Sequence, residues 1–173
     1  MIRTAHTAGL TRPEQEAIRA LLDEAFDEFS DQDWDHGLGG MHALLVEQGR
    51  LVAHGAVVQR RLLHGGRPLR AGYVESVVVA REHRREGRAS EVMAVLESHA
   101  PGFDVLALSA SDNGAALYES RGWLRWRGPT SVLAPDGVRR TPEDDGGVYV
   151  LPGRAELDLD GGLTCDWRDG DVW

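Results

Sequence analysis

One carboxylate, Glu75, interrupts an apolar, β-branched run from Tyr73 to Val79. The run reads as a strand, and alternation along it puts Tyr73, Glu75, Val77 and Val79 on one face. Apolar neighbours raise a carboxyl's pKa toward values useful for taking a proton; the competing reading is a solvent-facing charge. A basic, turn-forming stretch follows, His83-Arg84-Arg85-Glu86-Gly87-Arg88-Ala89. Ala89, Val92, Met93 and Leu96 then recur at i, i+3, i+4 and i+7, the apolar stripe of a helix. A helix that starts just after a strand and a glycine-containing loop aims unpaired backbone N–H groups outward. Such an end suits an anion, with phosphate as the usual occupant.

Three further groups carry charge or acid–base potential. Asn113-Gly114-Ala115-Ala116-Leu117-Tyr118 leads from a polar loop into a short helix that puts a phenol on its surface. Asp27 to Asp35 holds five carboxylates and two aromatic residues in nine positions, without clear periodicity. It reads as a solvated acidic loop, or as a rim for a polycation. Glu143-Asp144-Asp145 and the acidic tail, Leu157 to Trp173, add more negative charge. His42, His54 and His64 lack ligand spacing with Cys or Asp, so they read as structural and no metal site is expected. The single cysteine, Cys165, has no intrachain disulfide partner and reads as buried and inert.

These groups need a scaffold, and 173 residues suit one domain with one core, residues 1–173. Hydrophobic residues are 42% and charged residues 27%, as in ordinary globular proteins. The net charge of −9 argues against a general nucleic-acid binder and permits a cationic substrate. No apolar run reaches the roughly 20 residues of a membrane span, and no signal-peptide h-region opens the chain, so no membrane partner and a cytoplasmic setting are expected. Ile2–Thr7 reads as a strand and Pro13–Phe26 as a helix capped by Thr11. Met41–Glu47, Leu51–Leu63 and Leu69–Val79 read as an antiparallel meander. Phe103–Leu108, Thr130–Ala134 and Val148–Pro152 read as further strands, and Ala115–Arg121 as a short helix closed by Gly122. Strand, helix, strand, helix after a meander predicts an α/β (α+β) fold. Its mixed central sheet holds the antiparallel meander and is flanked by helices. Two tryptophans in the last seven residues, Trp167 and Trp173, predict a docked tail.

Arg84-x-x-Gly87-x-Ala89, between an apolar strand and an amphipathic helix, resembles the acetyl-CoA signature of the GCN5-related N-acetyltransferases. Asn113-Gly114-Ala115-Ala116-Leu117-Tyr118-Glu119-Ser120-Arg121-Gly122-Trp123 is similar to a second motif of that superfamily. The resemblance implies its acyl-CoA N-acyltransferase fold, with acetyl-CoA as co-substrate and no metal. It implies coenzyme contacts from Val77, Val79, Arg84, Arg85, Glu86, Gly87, Arg88, Ala89 and Asn113. Tyr118 would be the acid at the coenzyme sulfur; an unperturbed phenol, with a pKa near ~10, is well matched to a thiol leaving group.

Longer blocks narrow the resemblance. Trp34-Asp35-His36-Gly37-Leu38-Gly39-Gly40-Met41-His42-Ala43-Leu44, Gly72-Tyr73-Val74-Glu75, Arg121-Gly122-Trp123, Gly128-Pro129-Thr130-Ser131-Val132-Leu133-Ala134-Pro135 and Cys165-Asp166-Trp167-Arg168-x-Gly170-Asp171-Val172-Trp173 resemble the aminoglycoside 2′-N-acetyltransferases. These blocks spread over nearly the whole chain. The implied reaction is direct acetyl transfer from acetyl-CoA to the 2′-amine of an aminoglycoside, giving resistance. Glu75 would be the base, through water, and the Val77 backbone N–H would polarise the thioester carbonyl. The implied drug ligands are Glu28, Asp33, Glu75, Ser76, Ser109, Asp144, Asp171 and Trp173 with its terminal carboxylate. Two positions depart from the family pattern, with Glu28 where it has Asp and Ser76 where glycine is expected. A homodimer is also implied, with the C-terminal strands as its interface. Another amine, such as a cell-envelope amino sugar, or non-catalytic drug binding are the alternatives.

Overall fold

A computed structural model describes residues 1–111 and 114–173, so the expected coenzyme ligand Asn113 lies outside the described residues. The chain divides into two units, Met1–Val58 with Val74–His99, and Gln59–Tyr73 with Ala100–Trp173.

In the first unit, strand β1 (Ile2–His6) pairs antiparallel with β2 (Met41–Glu47). Between them lie helices α1 (Arg12–Ala25) and α2 (Asp31–His36). Helix α1 starts at a capping box, where Thr11 N donates to Glu14 Oε2 at 2.8 Å, with Pro13 in the first turn. It buries Ile18, Leu21 and Leu22 against Ala5, Leu44 and Val78. Helix α2 corrects the loop expected over Asp27–Asp35. Ser30 caps it reciprocally: Asp33 N donates to Ser30 Oγ at 3.1 Å, and Ser30 N donates to Asp33 Oδ2 at 2.9 Å. Six residues are too few for apolar periodicity to show, so the cap was the only signal.

Strand β2 turns through Gln48 and Gly49 into β3 (Arg50–His64), and a second hairpin leads to β4 (Arg67–Val79). Both long strands run from one unit into the other. Helix α3 (Arg88–Glu97) buries Val92, Met93 and Leu96, each worth roughly 1.5–3 kcal/mol by area removed from water. Gly55 on β3 is the floor beneath them. A Cβ there would lie 2.9 Å from both Leu96 Cδ1 and Val92 Cγ1, so only glycine lets the helix seat this closely.

The second unit continues with β5 (Val105–Ser109), α4 (Ala115–Ser120), β6 (Leu124–Arg125), β7 (Thr130–Ala134), β8 (Gly137–Arg140), β9 (Val148–Pro152) and β10 (Leu163–Asp166). β5 is parallel to β4 from Ala71↔Val105 to Tyr73↔Ala107, and antiparallel to β9. β10 lies antiparallel to the end of β3 and parallel to β7. The strand order is β6-β9-β5-β4-β3-β10-β7-β8, with β2 and then β1 extending from β3. The mixed sheet and its antiparallel meander are as expected. β5 starts two residues later than Phe103, and β6, β8 and β10 were not foreseen because each has four residues or fewer. The tail is docked through β10 and buried Trp173. Trp167 is 43% exposed and takes no part in that burial.

Candidate active site

The strand carrying Glu75 is not regular. Ser76 has φ 55, a left-handed conformation that costs a non-glycine residue on the order of 1–3 kcal/mol. This explains why glycine was expected there. The turn also breaks period-two alternation, so alternation does not carry Tyr73 and Glu75 onto the face of Val77 and Val79. Val77 packs toward Val92 and Leu96, and Val78 enters the α1 cluster. Ser76 Oγ would be 3.3 Å from a Cβ on Gly37, the C-cap of α2, so Gly37 leaves room for that hydroxyl. Glu75 is half-buried. The β4–β5 ladder stops at Tyr73, so Val77 lies beyond it, as a donor to a substrate carbonyl requires.

The loop after β4 turns through a 3-10 helix, Arg81–His83, and then through Arg85 at φ 65 and Gly87 at φ 83. Gly87 is the N-cap of α3, and nothing lies within 4 Å of where its Cβ would be. The first N–H groups of α3 therefore face open space at the positive end of the helix dipole, which fits a pyrophosphate. Arg84 reaches back, its Nε donating to Val79 O at 3.3 Å, and among the described residues no carboxylate pairs with Arg84 or Arg85. Arg88 differs. Its guanidinium sits 2.8 Å from both Glu47 and Glu91, so its side chain is taken by protein carboxylates and only its backbone N–H is offered. Glu86 pairs with His83 at 3.2 Å.

Of the expected drug ligands in this unit, Glu28 is exposed in the turn before α2. Asp33 uses Oδ2 to cap α2, a structural duty the sequence reading did not assign.

The second unit gathers Ser109, Asp144, Asp171 and Trp173. A cavity of about 510 Å³ is lined by Ser109, Ser111, Arg125, Asp144 and Tyr149, among others. Burial, then repulsion from Asp171 and Glu143, pushes the Asp144 carboxyl up to about 6. Its neighbour Asp145 goes the other way. Hydrogen bonds from Arg140 and from Thr130 N and Oγ1 hold it well below the usual carboxylate range. The two adjacent acids are therefore held differently: Asp145 ties β7 to the loop, and Asp144 lines the cavity. Asp171 Oδ1 accepts from Trp173 N at 3.2 Å, and Trp173 Nε1 donates to Thr141 Oγ1 at 2.9 Å. Arg168 braces the same turn, donating to Asp171 O at 2.7 Å and Trp173 O at 2.8 Å.

Tyr118 on α4 is buried beside Trp123 and Tyr149, at ring separations of 6.0 and 6.3 Å. Burial pushes its phenol up to about 12, so the group stays protonated at neutral pH. The sequence reading also missed an adjoining network in which Arg125 Nε donates to Tyr149 Oη and Tyr149 donates to Glu119, at 2.8 and 2.9 Å. No motif marks it, because its three residues come from α4, β6 and β9. Among the described residues no cluster of His, Cys, Asp and Glu suits a metal ion, and no helix is long and apolar enough to cross a membrane.

Residues 8–125 match the family model of the acetyltransferase (GNAT) domain. The chain is 52% identical over 177 residues to the aminoglycoside 2′-N-acetyltransferase of Mycolicibacterium fortuitum, covering 99% of this chain and 91% of that protein. Among solved structures, Eis1 from Mycobacterium abscessus matches with a TM-score of 0.61 at 21% identity, over 76% of this chain; the match spans 33% of that longer chain. ElaA from Escherichia coli matches with a TM-score of 0.59 at 16% identity, over 87% of this chain and 97% of that one. At these identities the two structures speak to the fold alone. The phosphate-type helix end after an apolar strand, the GNAT match and the near-full-length relative lead to one conclusion: this chain belongs to the GCN5-related N-acetyltransferase superfamily and, within it, to the aminoglycoside 2′-N-acetyltransferase family.

Proposed function

We propose that the chain transfers the acetyl group of acetyl-CoA to the 2′-amine of aminoglycoside antibiotics by direct attack with both substrates bound. It acts as one catalytic domain, residues 1–173, in the cytoplasm, and confers aminoglycoside resistance. The observation that carries the substrate class is Asp144, a half-buried carboxyl lining a polar cavity and pushed up to about 6 by burial and then by repulsion from Asp171 and Glu143. A polyammonium ligand relieves that repulsion, whereas a neutral ligand does not.

The open backbone at Gly87, the start of α3, and Arg84 and Arg85 fit the coenzyme's pyrophosphate. Acetyl-CoA, when bound, supplies an acetyl group activated as a thioester. Glu75 takes the proton from the attacking amine through a water, and Val77 N–H holds the carbonyl oxygen. Tyr118 gives its proton to the departing sulfur. Glu28, Asp33, Ser76, Ser109, Asp171 and Trp173 complete the drug site, Ser76 through its backbone. Leu133 and Val138, cross-strand partners on β7 and β8, are 45% and 63% exposed and supply an apolar edge for a homodimer.

Release of free CoA across a panel of amines tests this reading. Turnover is expected with drugs bearing a 2′-amine, and no turnover with 2′-hydroxy analogues. Reaction with the 2′-hydroxy analogues or with peptides instead would overturn it. Tyr118→Phe is expected to lower kcat about 100-fold and to leave the acetyl-CoA KM within about twofold, as for a group acting only in the transition state. Initial-rate kinetics with varied coenzyme check the split. The drug KM is expected to rise as pH falls through about 6, because Asp144 is protonated below that value and no longer attracts an ammonium. Asp144→Asn is expected to raise KM at neutral pH and flatten this dependence, read from KM against pH for both proteins.

A further inference from the structure

A polar chain crosses the interior of the first unit and ends at the turn beside Glu75. His54 Nδ1 lies 3.2 Å from Ser76 O, and His54 Nε2 lies 3.0 Å from His42 Nδ1. His42 Nε2 lies 2.8 Å from Thr7 Oγ1, which accepts from Gly39 N at 2.8 Å. A carbonyl oxygen can only accept, and with both imidazoles neutral this sets every proton along the line. His54 must carry its proton on Nδ1, which leaves Nε2 bare. His42 must then donate from its own Nδ1, and Thr7 must turn its single hydroxyl proton toward His42 Nε2 at 2.8 Å in preference to its other acceptor, Gly40 O at 3.3 Å. Both imidazoles are almost fully buried, at 2% and 1% exposure, with Ala56 and Leu44 as their cross-strand partners. Burial, followed by the neighbouring imidazole, pushes His54 down to about 3; burial, followed by His6, pushes His42 to about 4. Burial is what keeps the pair neutral, since a second proton on His54 would switch His42 to its other tautomer and turn the Thr7 hydroxyl to Gly40 O, 3.3 Å away.

The bland reading is a satisfied pair of core histidines. The place where the chain ends argues for more. Ser76 is the left-handed residue on β4, so its carbonyl is turned away from a regular ladder. Leaving that carbonyl without a donor would remove the bond that favours the strained turn. The residue before the turn is Glu75.

We propose that His54, backed by His42 and Thr7, is a positioning residue for acetyl transfer: its Nδ1–H holds the Ser76 carbonyl and so fixes the turn that aims Glu75. The claim rests on Glu75 as the base. It does not make either histidine a catalytic residue.

The test compares His54→Leu, which removes the donor, with His54→Asn, which restores an N–H at the Nδ1 position. His54→Leu is expected to lower kcat at least about tenfold, leave the acetyl-CoA KM unchanged and displace the Glu75 limb of the kcat/KM pH profile. His54→Asn is expected to recover most of kcat and return the limb. A folded His54→Leu protein with wild-type kcat and pH profile overturns the proposal. Nitrogen-15 NMR of the unmutated protein supplies a reading that no folding defect can obscure. Both buried imidazoles are expected to be neutral with the proton on Nδ1; an Nε2–H form of either one overturns the proposal. If Glu75→Gln leaves the pH limb in place, the base assignment falls by itself. The positioning of the Ser76 turn then stands or falls on the kcat of the Leu and Asn variants.

Discussion

Glu75→Gln is expected to lower kcat/KM about 100- to 1,000-fold at pH 7, with a deficit that shrinks toward high pH. Glutamine keeps the shape and the hydrogen-bonding oxygen of glutamate but cannot take a proton. An amine of ordinary basicity is mostly protonated at neutral pH, so attack depends on a group that removes the extra proton. As pH rises, the free amine supplies itself and the base matters less. A residue that merely bound the ammonium would behave differently, because its loss would raise the drug KM and leave kcat nearly unchanged. The profile from pH 6 to pH 9, at saturating acetyl-CoA, separates the two. Equal loss at every pH would reject Glu75 as the base.

Gly128→Ala is expected to be the most damaging small substitution in the second unit, at on the order of 3–5 kcal/mol. A Cβ on Gly128 would lie 1.9 Å from Gly161 O and 2.6 Å from Asp160 O. Both are backbone atoms, so no rotamer change relieves the clash. Moving either segment breaks the bonds from Arg127 N and Gly128 N to Leu159 O, each 2.9 Å, and the bond from Trp126 Nε1 to Gly161 O at 3.0 Å. Trp126 is fully buried, and β10 begins two residues beyond Gly161. Losing this much of a stability that is normally ~5–15 kcal/mol leaves little margin. A fall in the urea midpoint at constant slope measures the cost. Gly102→Ala, with nothing near its Cβ, is the matched control and is expected to stay within ~0.5 kcal/mol.

Much of this molecule was legible before any coordinates. The meander over β2, β3 and β4 is written in β-branched alternation and in turn glycines. The end of α3 is written in Gly87 and the stripe that follows it. What escaped detection has a common cause. β6, β8 and β10 are too short for periodicity, and each is recruited by a neighbouring strand and not by its own composition. The left-handed turn at Ser76 hides because the residue type argues against it. His42 and His54 lie on adjacent strands, two residues out of register, since His42 faces Ala56 and Leu44 faces His54. Only the hairpin register shows that such a diagonal pair can touch. The acids were found as a group, yet composition could not tell that Asp33 caps a helix, that Asp145 ties down a strand, or that Asp144 is driven upward.

The two units are interleaved along the polypeptide, and this governs how the molecule can be made. A ribosome releases all of the first unit only after His99, by which time it has also released Gln59–Tyr73, whose partners in the second unit are not yet synthesised. Neither unit corresponds to an uninterrupted gene fragment: trimming after His99 keeps all of the first unit but carries Gln59–Tyr73 of the second with it. A chain cut between His99 and Ala100 would leave Gln59–Tyr73 on the first fragment, although that segment belongs to the unit of the second. The first fragment would hold all of the first unit, whereas the halves of such a cut chain would have to find each other to restore the second, which is the property a split-protein reporter of association needs.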